Sequence, residues 1–205
     1  MIHYLDKIKQ HTLLEKSFNY IIENNQSVNL PYHNTRHLVK VFDTALDIAS
    51  LSDLTDSEIV ELGIACLFHD FNHSGGKLTD SENIDIAIKE FLLFFESNEK
   101  LFEWINATNI IDMIHSTEFP KKREPITLQQ RIIMDSDLIQ CYDVDWFLFA
   151  IKGLSSERGV DVSRSLQDQT NFINNVTYYT KFAQNLHKEQ KEGYLKRLEY
   201  LKTIF

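Results

Sequence analysis

The chain has 205 residues, of which 43% are hydrophobic and 25% charged, a size and balance typical of one globular domain. Acidic residues outnumber basic ones by 30 to 21, and the net charge of −9 disfavours binding to a nucleic-acid polymer. Two cysteines are too few for a disulfide scaffold, and 6 glycines and 3 prolines are too few for an all-β chain with many tight turns.

No segment has the composition of a membrane span or a leader peptide. The longest apolar run, residues 146–151, is much shorter than the roughly 20 residues that cross a bilayer. Charged and polar side chains such as Asp6, Lys7 and Lys9 interrupt the N-terminus, where a signal peptide needs an apolar core. We therefore expect one cytoplasmic domain over residues 1–205, with no membrane contact.

Hydrophobic residues recur at helical spacing through most of the chain. The first clear stripe spans residues 38–49. Next, Thr55-x-x-Glu58 is a capping box that predicts a helix start, and the helix that follows is apolar on every face over residues 62–68. That helix should lie at the centre of the domain.

The second half of the chain shows the same helical pattern. Capping boxes at Thr79-x-x-Glu82 and Thr127-x-x-Gln130 predict two more helix starts. Breaks are expected at residues 72–77, 119–125 and 153–159, where glycine, proline and polar residues concentrate. No run alternates with period two for long enough to form a strand, so the fold class is predicted to be all-α. The remaining helices are predicted around residues 100–115, 127–141, 143–153, 164–186 and 188–203.

Histidines and aspartates are concentrated at a few helix ends. His33 and His37 are four residues apart and would share one face if that segment is helical. His69-Asp70 ends the apolar helix, and Asp137 ends another apolar run. A carboxylate at such a position is costly to bury unless it is paired or binds a cation. One histidine, a His-Asp pair and one aspartate from three helices would supply four convergent metal ligands.

Short motifs around these residues resemble a known family. The ordered set His…His-Asp…Asp is similar to the signature of the HD-domain metal-dependent phosphohydrolases, and the flanking residues are most like class I cyclic nucleotide phosphodiesterases. The matching segments are Tyr32-His33-Asn34-x-x-His37, His69-Asp70-x-x-His73-x-Gly75, Ser136-Asp137-Leu138, Glu157-Arg158-Gly159 and Gln169-x-x-Phe172-Ile173.

The resemblance implies an HD-type helical bundle with two divalent metal ions at its centre. The first ion, Zn²⁺ or else Fe²⁺ or Mn²⁺, would be held by His37, His69, Asp70 and Asp137. Asp70 would bridge to a second ion, Mg²⁺ or Mn²⁺. A hydroxide between the two ions would attack the phosphorus of the substrate.

The same resemblance assigns the remaining site residues. His33 would be the general acid, and His73 would lie near the bridging hydroxide. Tyr32, Gln169 and Phe172 would face the substrate, with the amide of Gln169 pairing with a purine and the ring of Phe172 stacking on it. The implied partner is a small nucleotide, and the implied reaction is hydrolysis of a 3′,5′-cyclic nucleotide to the nucleoside 5′-monophosphate.

Two alternatives remain open from the sequence. Ile139-Gln140 stands where the family usually has an asparagine, and small HD phosphohydrolases that act on nucleoside monophosphates or other phosphoesters also fit the core motifs. A non-catalytic metal- or nucleotide-binding module is the other alternative. The preference for adenine or guanine and the oligomeric state stay open.

Overall fold

The computed structural model describes residues 12–205, so the expectation for the N-terminal residues Asp6, Lys7 and Lys9 lies outside this part of the chain. Within residues 12–205 the structure is all-helical and contains no strand, which confirms the predicted fold class. The α-helices are α1 (Thr12–Asn24), α2 (Thr35–Ala49), α3 (Asp56–Phe68), α4 (Asp80–Ser97), α5 (Ala107–Ser116), α6 (Leu128–Leu138), α7 (Val144–Arg158), α8 (Val162–Asn175) and α9 (Lys181–Lys202). Short 3₁₀ turns lie at Gln26–Asn29, Glu99–Phe102 and Ile139–Tyr142.

The three predicted capping boxes are present. Thr55, Thr79 and Thr127 each cap a helix, and the side chain three residues later returns a hydrogen bond to the capping backbone. These interactions are local in sequence, so α3, α4 and α6 begin where the sequence predicts.

Two predicted boundaries are wrong. The helix predicted over residues 164–186 ends at Asn175, and α9 begins at Lys181, before the predicted break at residue 187. Further upstream, α7 continues through Gly153 and stops only before Gly159, which has a φ of +62°. At Gly153, α7 packs closely against the preceding loop, where a Cβ would lie 3.0 Å from the carbonyl oxygen of Pro31, so this glycine permits a close approach and does not end the helix.

Helix α3 lies at the centre of the larger hydrophobic core, as its apolar composition predicts. It contacts α1, α2, α4, α5 and α6, and all side chains from Val60 to Phe68 are buried. The helices approach closely at Gly63, where a Cβ would lie 2.8 Å from Leu14 and 2.9 Å from Phe42. This central helix ends at Phe68, directly before His69 and Asp70, so the packing of the core fixes the position of the His-Asp pair.

A second hydrophobic cluster is formed by the turn over residues 139–142 together with α7, α8 and α9. The elements of the two clusters meet at the end of α6, and a cleft of about 750 Å³ opens between them. No helix in the described part of the chain combines the length and apolar composition needed to cross a membrane. The prediction of a single domain over residues 1–205 stays a prediction.

Candidate metal centre

Three helices bring the four predicted metal ligands together. His37 lies in the first turn of α2, His69 and Asp70 follow the last residue of α3, and Asp137 lies in the last turn of α6. Both histidines are almost completely buried, while the side chains of Asp70 and Asp137 retain 14% and 19% exposure. The cluster therefore lies in the wall of the core, and its carboxylates form the side that faces the cleft.

The start of α2 orients His37. The side chain of Asn34 accepts hydrogen bonds from the N–H groups of Arg36 and His37, so the helix begins at Thr35. His33 thus precedes the helix, and the expectation that His33 and His37 share one helical face is wrong. Their rings are neighbours nonetheless, with centroids 5.7 Å apart.

The distances within the cluster suit a shared metal ion. His37 Nε2 lies 3.2 Å from Asp70 Oδ2 and 3.2 Å from Asp137 Oδ1, while His69 Nε2 lies 3.3 and 3.8 Å from the same two oxygens. The two Nε2 atoms are 3.3 Å apart. Ligands that each lie about 2.0–2.2 Å from one ion are separated by about 3.0–3.6 Å. The donor set can therefore hold a divalent cation.

His69 is already in the tautomer that a metal ligand needs. Its Nδ1 lies 2.8 Å from the carbonyl oxygen of Cys66, which can only accept, so Nδ1 carries the proton. Nε2 is then left as the nitrogen that faces the other ligands. The carbonyl belongs to the last turn of α3, so the same helix supplies the ligand and the group that orients it.

The negative charges of the cluster need compensation. Burial by itself raises the pKa of Asp137, but hydrogen bonds from His37 and His69 outweigh it and lower the pKa to about 2. Burial likewise opposes ionisation of Asp70, yet His69 and His33 hold its pKa well below the ordinary value. Two ionised carboxylates in a buried site need compensation, either by protons on the histidines or by one divalent ion bound to neutral histidines.

His33 is held beside this cluster by a residue to which the sequence analysis gave no role. His33 Nδ1 lies 2.5 Å from Glu157 Oε2, and Glu157 Oε1 also accepts the backbone N–H groups of Tyr32 and His33. The Glu157 side chain is only 1% exposed. Burial alone would raise the pKa of Glu157, but these hydrogen bonds lower it, so the carboxylate is ionised. Glu157 lies 124 residues from His33, and only the folded chain reveals the pair.

His73 completes the row of imidazoles. Its ring stacks on that of His33 with centroids 3.8 Å apart, and its Nδ1 accepts the N–H of Gly75. Burial lowers the pKa of His73 to about 4, so the ring is neutral at ordinary pH. His33, His73 and Glu157 also lie close enough together to form a second group of potential metal ligands.

The three residues predicted to contact substrate all line the cleft. Tyr32 packs between His33 and His37, with ring centroids 4.8 Å from each. Gln169 and Phe172 lie on α8, where Gln169 Oε1 accepts a long hydrogen bond of 3.4 Å from the hydroxyl of Tyr194. Phe172 is half-buried and meets Phe119 edge to face at 5.9 Å, a partner that the sequence did not predict. Their roles toward a substrate stay predictions.

No protein-family model matches this chain, and no curated protein matches it either.

Proposed function

We propose that the protein is a metal-dependent phosphodiesterase that hydrolyses a 3′,5′-cyclic nucleotide to the nucleoside 5′-monophosphate. One observation carries the proposal, namely that His33 is held by a buried carboxylate beside the four-ligand cluster. The Nδ1 of His33 is hydrogen-bonded to Glu157, and the Nε2 of His33 lies 4.0 Å from Asp70 Oδ2. A module that only binds metal needs no proton donor next to its ligands. An enzyme that expels an alkoxide from phosphorus does need one.

The four-residue cluster would supply the metal ions for the reaction. A divalent ion held by His37, His69, Asp70 and Asp137 would offset the charge of the phosphate and lower the pKa of a bound water. Zn²⁺, Fe²⁺ or Mn²⁺ would suit this position, and Asp70 could also serve as a ligand for a second ion, Mg²⁺ or Mn²⁺. The combined charge of the two ions would explain how a protein with a net charge of −9 accepts an anionic substrate.

His33 supplies the proton for the leaving group. Hydrolysis adds the water oxygen to phosphorus and breaks the bond from phosphorus to O3′ of the ribose, so O3′ requires a proton. Glu157 accepts the Nδ1–H of His33 and thereby directs Nε2 toward the cluster. A proton on Nε2 moves to O3′ as the bond breaks, while neutral His73 supports the His33 ring by stacking on it.

Base recognition rests on α8 in this proposal. Gln169 and Phe172 lie three residues apart on one side of the helix, and both line the cleft. An amide can donate and accept, so Gln169 can pair with either purine, and an aromatic face stacks on either. We therefore propose a purine nucleotide as the substrate without a built-in preference between adenine and guanine.

A hydrolysis screen tests the proposal. The purified chain would be stripped of metal, reloaded separately with Zn²⁺, Mn²⁺ or Mg²⁺, and assayed on cyclic nucleotides, nucleoside monophosphates and bis(p-nitrophenyl) phosphate. We expect turnover of purine cyclic nucleotides that requires metal and is abolished in Asp137→Asn but kept in Asp112→Asn, which changes an exposed aspartate on α5. Turnover of nucleoside monophosphates alone would instead identify a phosphomonoesterase. Metal binding without any turnover would indicate a binding module.

A further inference from the structure

Two arginines at the rim of the cleft are not used by the proposed chemistry. Arg158 is the last residue of α7, and Arg164 lies in the first turn of α8. They are the only lysine or arginine side chains among the described residues that line the cleft. In a protein with a net charge of −9, two cations in the substrate cleft need an explanation.

The two arginines form ion pairs with the same carboxylate. Arg164 Nε lies 3.1 Å from Asp168 Oδ1, and Arg158 Nη1 lies 3.8 Å from Asp168 Oδ2. Asp168 is the one carboxylate that both guanidinium groups share, and the carboxylate of Asp161 accepts the backbone N–H of Arg164. Both guanidinium groups remain accessible, with side-chain exposures of 56% and 68%. Guanidinium groups in such an arrangement bind phosphate well, because their planar donors match its oxygens.

The backbone that carries the two arginines is anchored near the candidate metal centre. Arg158 directly follows Glu157, which holds His33 at the metal ligands. The loop that carries His73 packs against the same end of α7, and a Cβ on Gly76 would lie 2.5 Å from the carbonyl oxygen of Glu157. Arg164 shares α8 with Gln169 and Phe172, about 7.5 and 12 Å away along the helix axis at 1.5 Å per residue.

The cleft therefore offers three separate contacts for a ligand: the metal cluster for a scissile phosphate, Gln169 and Phe172 for a base, and the arginine pair for a further anion. Its volume of about 750 Å³ lies in the upper part of the range of about 300–1,000 Å³ that is usual for small-molecule sites. A nucleotide with a single phosphate would leave the arginine pair unused.

We propose that Arg158 and Arg164 form a subsite for a second phosphate, so that the cleft also accepts a linear nucleotide phosphodiester that carries another phosphate away from the scissile one. The inference rests on the proposed metal-dependent hydrolysis of phosphodiesters and goes beyond the cyclic mononucleotide, because it adds nucleotides with at least two phosphates to the substrates.

A matched pair of substrates tests this subsite. The dinucleotides ApA and pApA contain the same phosphodiester and differ only in the 5′-phosphate of pApA. With Mn²⁺ bound, we expect kcat/KM for pApA to exceed that for ApA by about 10- to 100-fold, as expected for charge-assisted hydrogen bonds. The ratio should fall toward one in the Arg158→Ala/Arg164→Ala double variant and fall partly in Arg164→Ala. It should be kept in Arg131→Ala, which removes an exposed arginine of α6 that does not line the cleft.

A binding measurement separates failure of the subsite from failure of the phosphodiesterase proposal. Fluorescently labelled ApA and pApA would be titrated with metal-free protein, and fluorescence anisotropy would be recorded. Tighter binding of pApA that is lost in the double variant supports the subsite even if neither dinucleotide is hydrolysed. Equal binding of the two dinucleotides, or a preference that survives loss of both arginines, would overturn it.

Discussion

Asp70 is the residue on which the candidate metal centre depends most. Its Oδ2 lies within 3.3 Å of the Nε2 atoms of both ligand histidines, and it belongs to the side of the cluster that faces the cleft. Asp70→Ala removes a ligand and a charge, so we expect the variant to lose bound metal and nearly all hydrolysis. Elemental analysis after purification measures the first effect, with Asp112→Ala as the control. Full metal occupancy in Asp70→Ala would rule out this ligand set.

The proposed mechanism gives His33 a different role from its neighbour His37, and kinetics can separate the two. His33→Ala should keep its metal yet lose a factor of about 10²–10⁴ in kcat on a cyclic nucleotide, as is typical when a general acid is removed. The loss should be much smaller on bis(p-nitrophenyl) phosphate, because nitrophenolate leaves without a proton. Glu157→Gln should show the same pattern in weaker form. An equal loss on both substrates would contradict the role of acid.

Phe172 is the residue that tests purine stacking. Removing a stacked ring costs about 1–3 kcal/mol of binding, so Phe172→Ala should raise KM for purine cyclic nucleotides by about 5- to 150-fold. Hydrolysis of bis(p-nitrophenyl) phosphate, which has no base, should barely change. Phe182→Ala, on the partly exposed surface of α9, provides the matched control. Equal damage to both substrates, or only a lower melting temperature, would identify Phe172 as a packing residue.

At the scale of helices, the sequence predicted the features that local signals encode. It did not predict the features that depend on contacts between distant residues. Capping boxes lie within four residues, so they are legible in the sequence. The start of α9 depends on Asp135 of α6, whose carboxylate accepts the N–H groups of Tyr179 and Thr180 across 44 and 45 residues. Thr180 caps α9 but has no glutamate or glutamine three residues later, so no complete capping box marks the position.

In the candidate site, too, the residues in local motifs were predictable and the pairs of distant residues were not. The cluster of His37, His69, Asp70 and Asp137 was predictable, because helix ends, burial and the chemistry of metal ligands coincide in short motifs. The segment Glu157-Arg158-Gly159 was singled out, but the pairing of Glu157 with His33 and of Phe119 with Phe172 was not predicted, because the partners lie far apart in sequence. No periodicity or spacing encodes such pairs.

Helix α9 is also joined to the rest of the chain by a histidine that nothing in the sequence singles out. The Nδ1 of His187 lies within hydrogen-bond distance of the hydroxyl of Tyr142, and a neutral imidazole can accept the hydroxyl hydrogen there. Burial, and to a lesser degree Lys191, lowers the pKa of His187 in the folded protein. The unfolded state therefore binds the proton more readily, and the stabilisation is present above about pH 6.5 and is lost as the pH falls below it.

Urea denaturation at several pH values checks this expectation. We expect His187→Gln to lower the free energy of unfolding at pH 8, and we expect the difference from the wild type to shrink as the pH falls from 7 to 5. A difference that does not change with pH would show that packing of the ring, and not its protonation state, accounts for the effect.

At the scale of the whole molecule, metal binding should stabilise the fold, because the ligands come from three helices that only the folded chain brings together. A ligand present at 100 times its Kd adds about 2.7 kcal/mol. For a domain of this size, that corresponds to an increase in Tm of about 5–10 °C. Thermal unfolding with Mn²⁺ or Zn²⁺, compared with EDTA, measures the change, and Asp137→Ala should show a much smaller one. Identical melting with and without metal in the wild type would contradict the metal centre.

The position of the cleft between the two hydrophobic clusters has a consequence for how the substrate range of such a protein can evolve. The four candidate metal ligands lie on or beside helices of the larger cluster, whereas Gln169, Phe172 and Arg164 lie on α8 of the smaller one. Under the proposed function, mutations that accumulate in α8 would alter which molecules are accepted and leave the metal centre, His33 and its partner Glu157 of α7 in place. Selection could then act on recognition and on chemistry separately, and a lineage built on this fold could acquire new substrates without a new reaction.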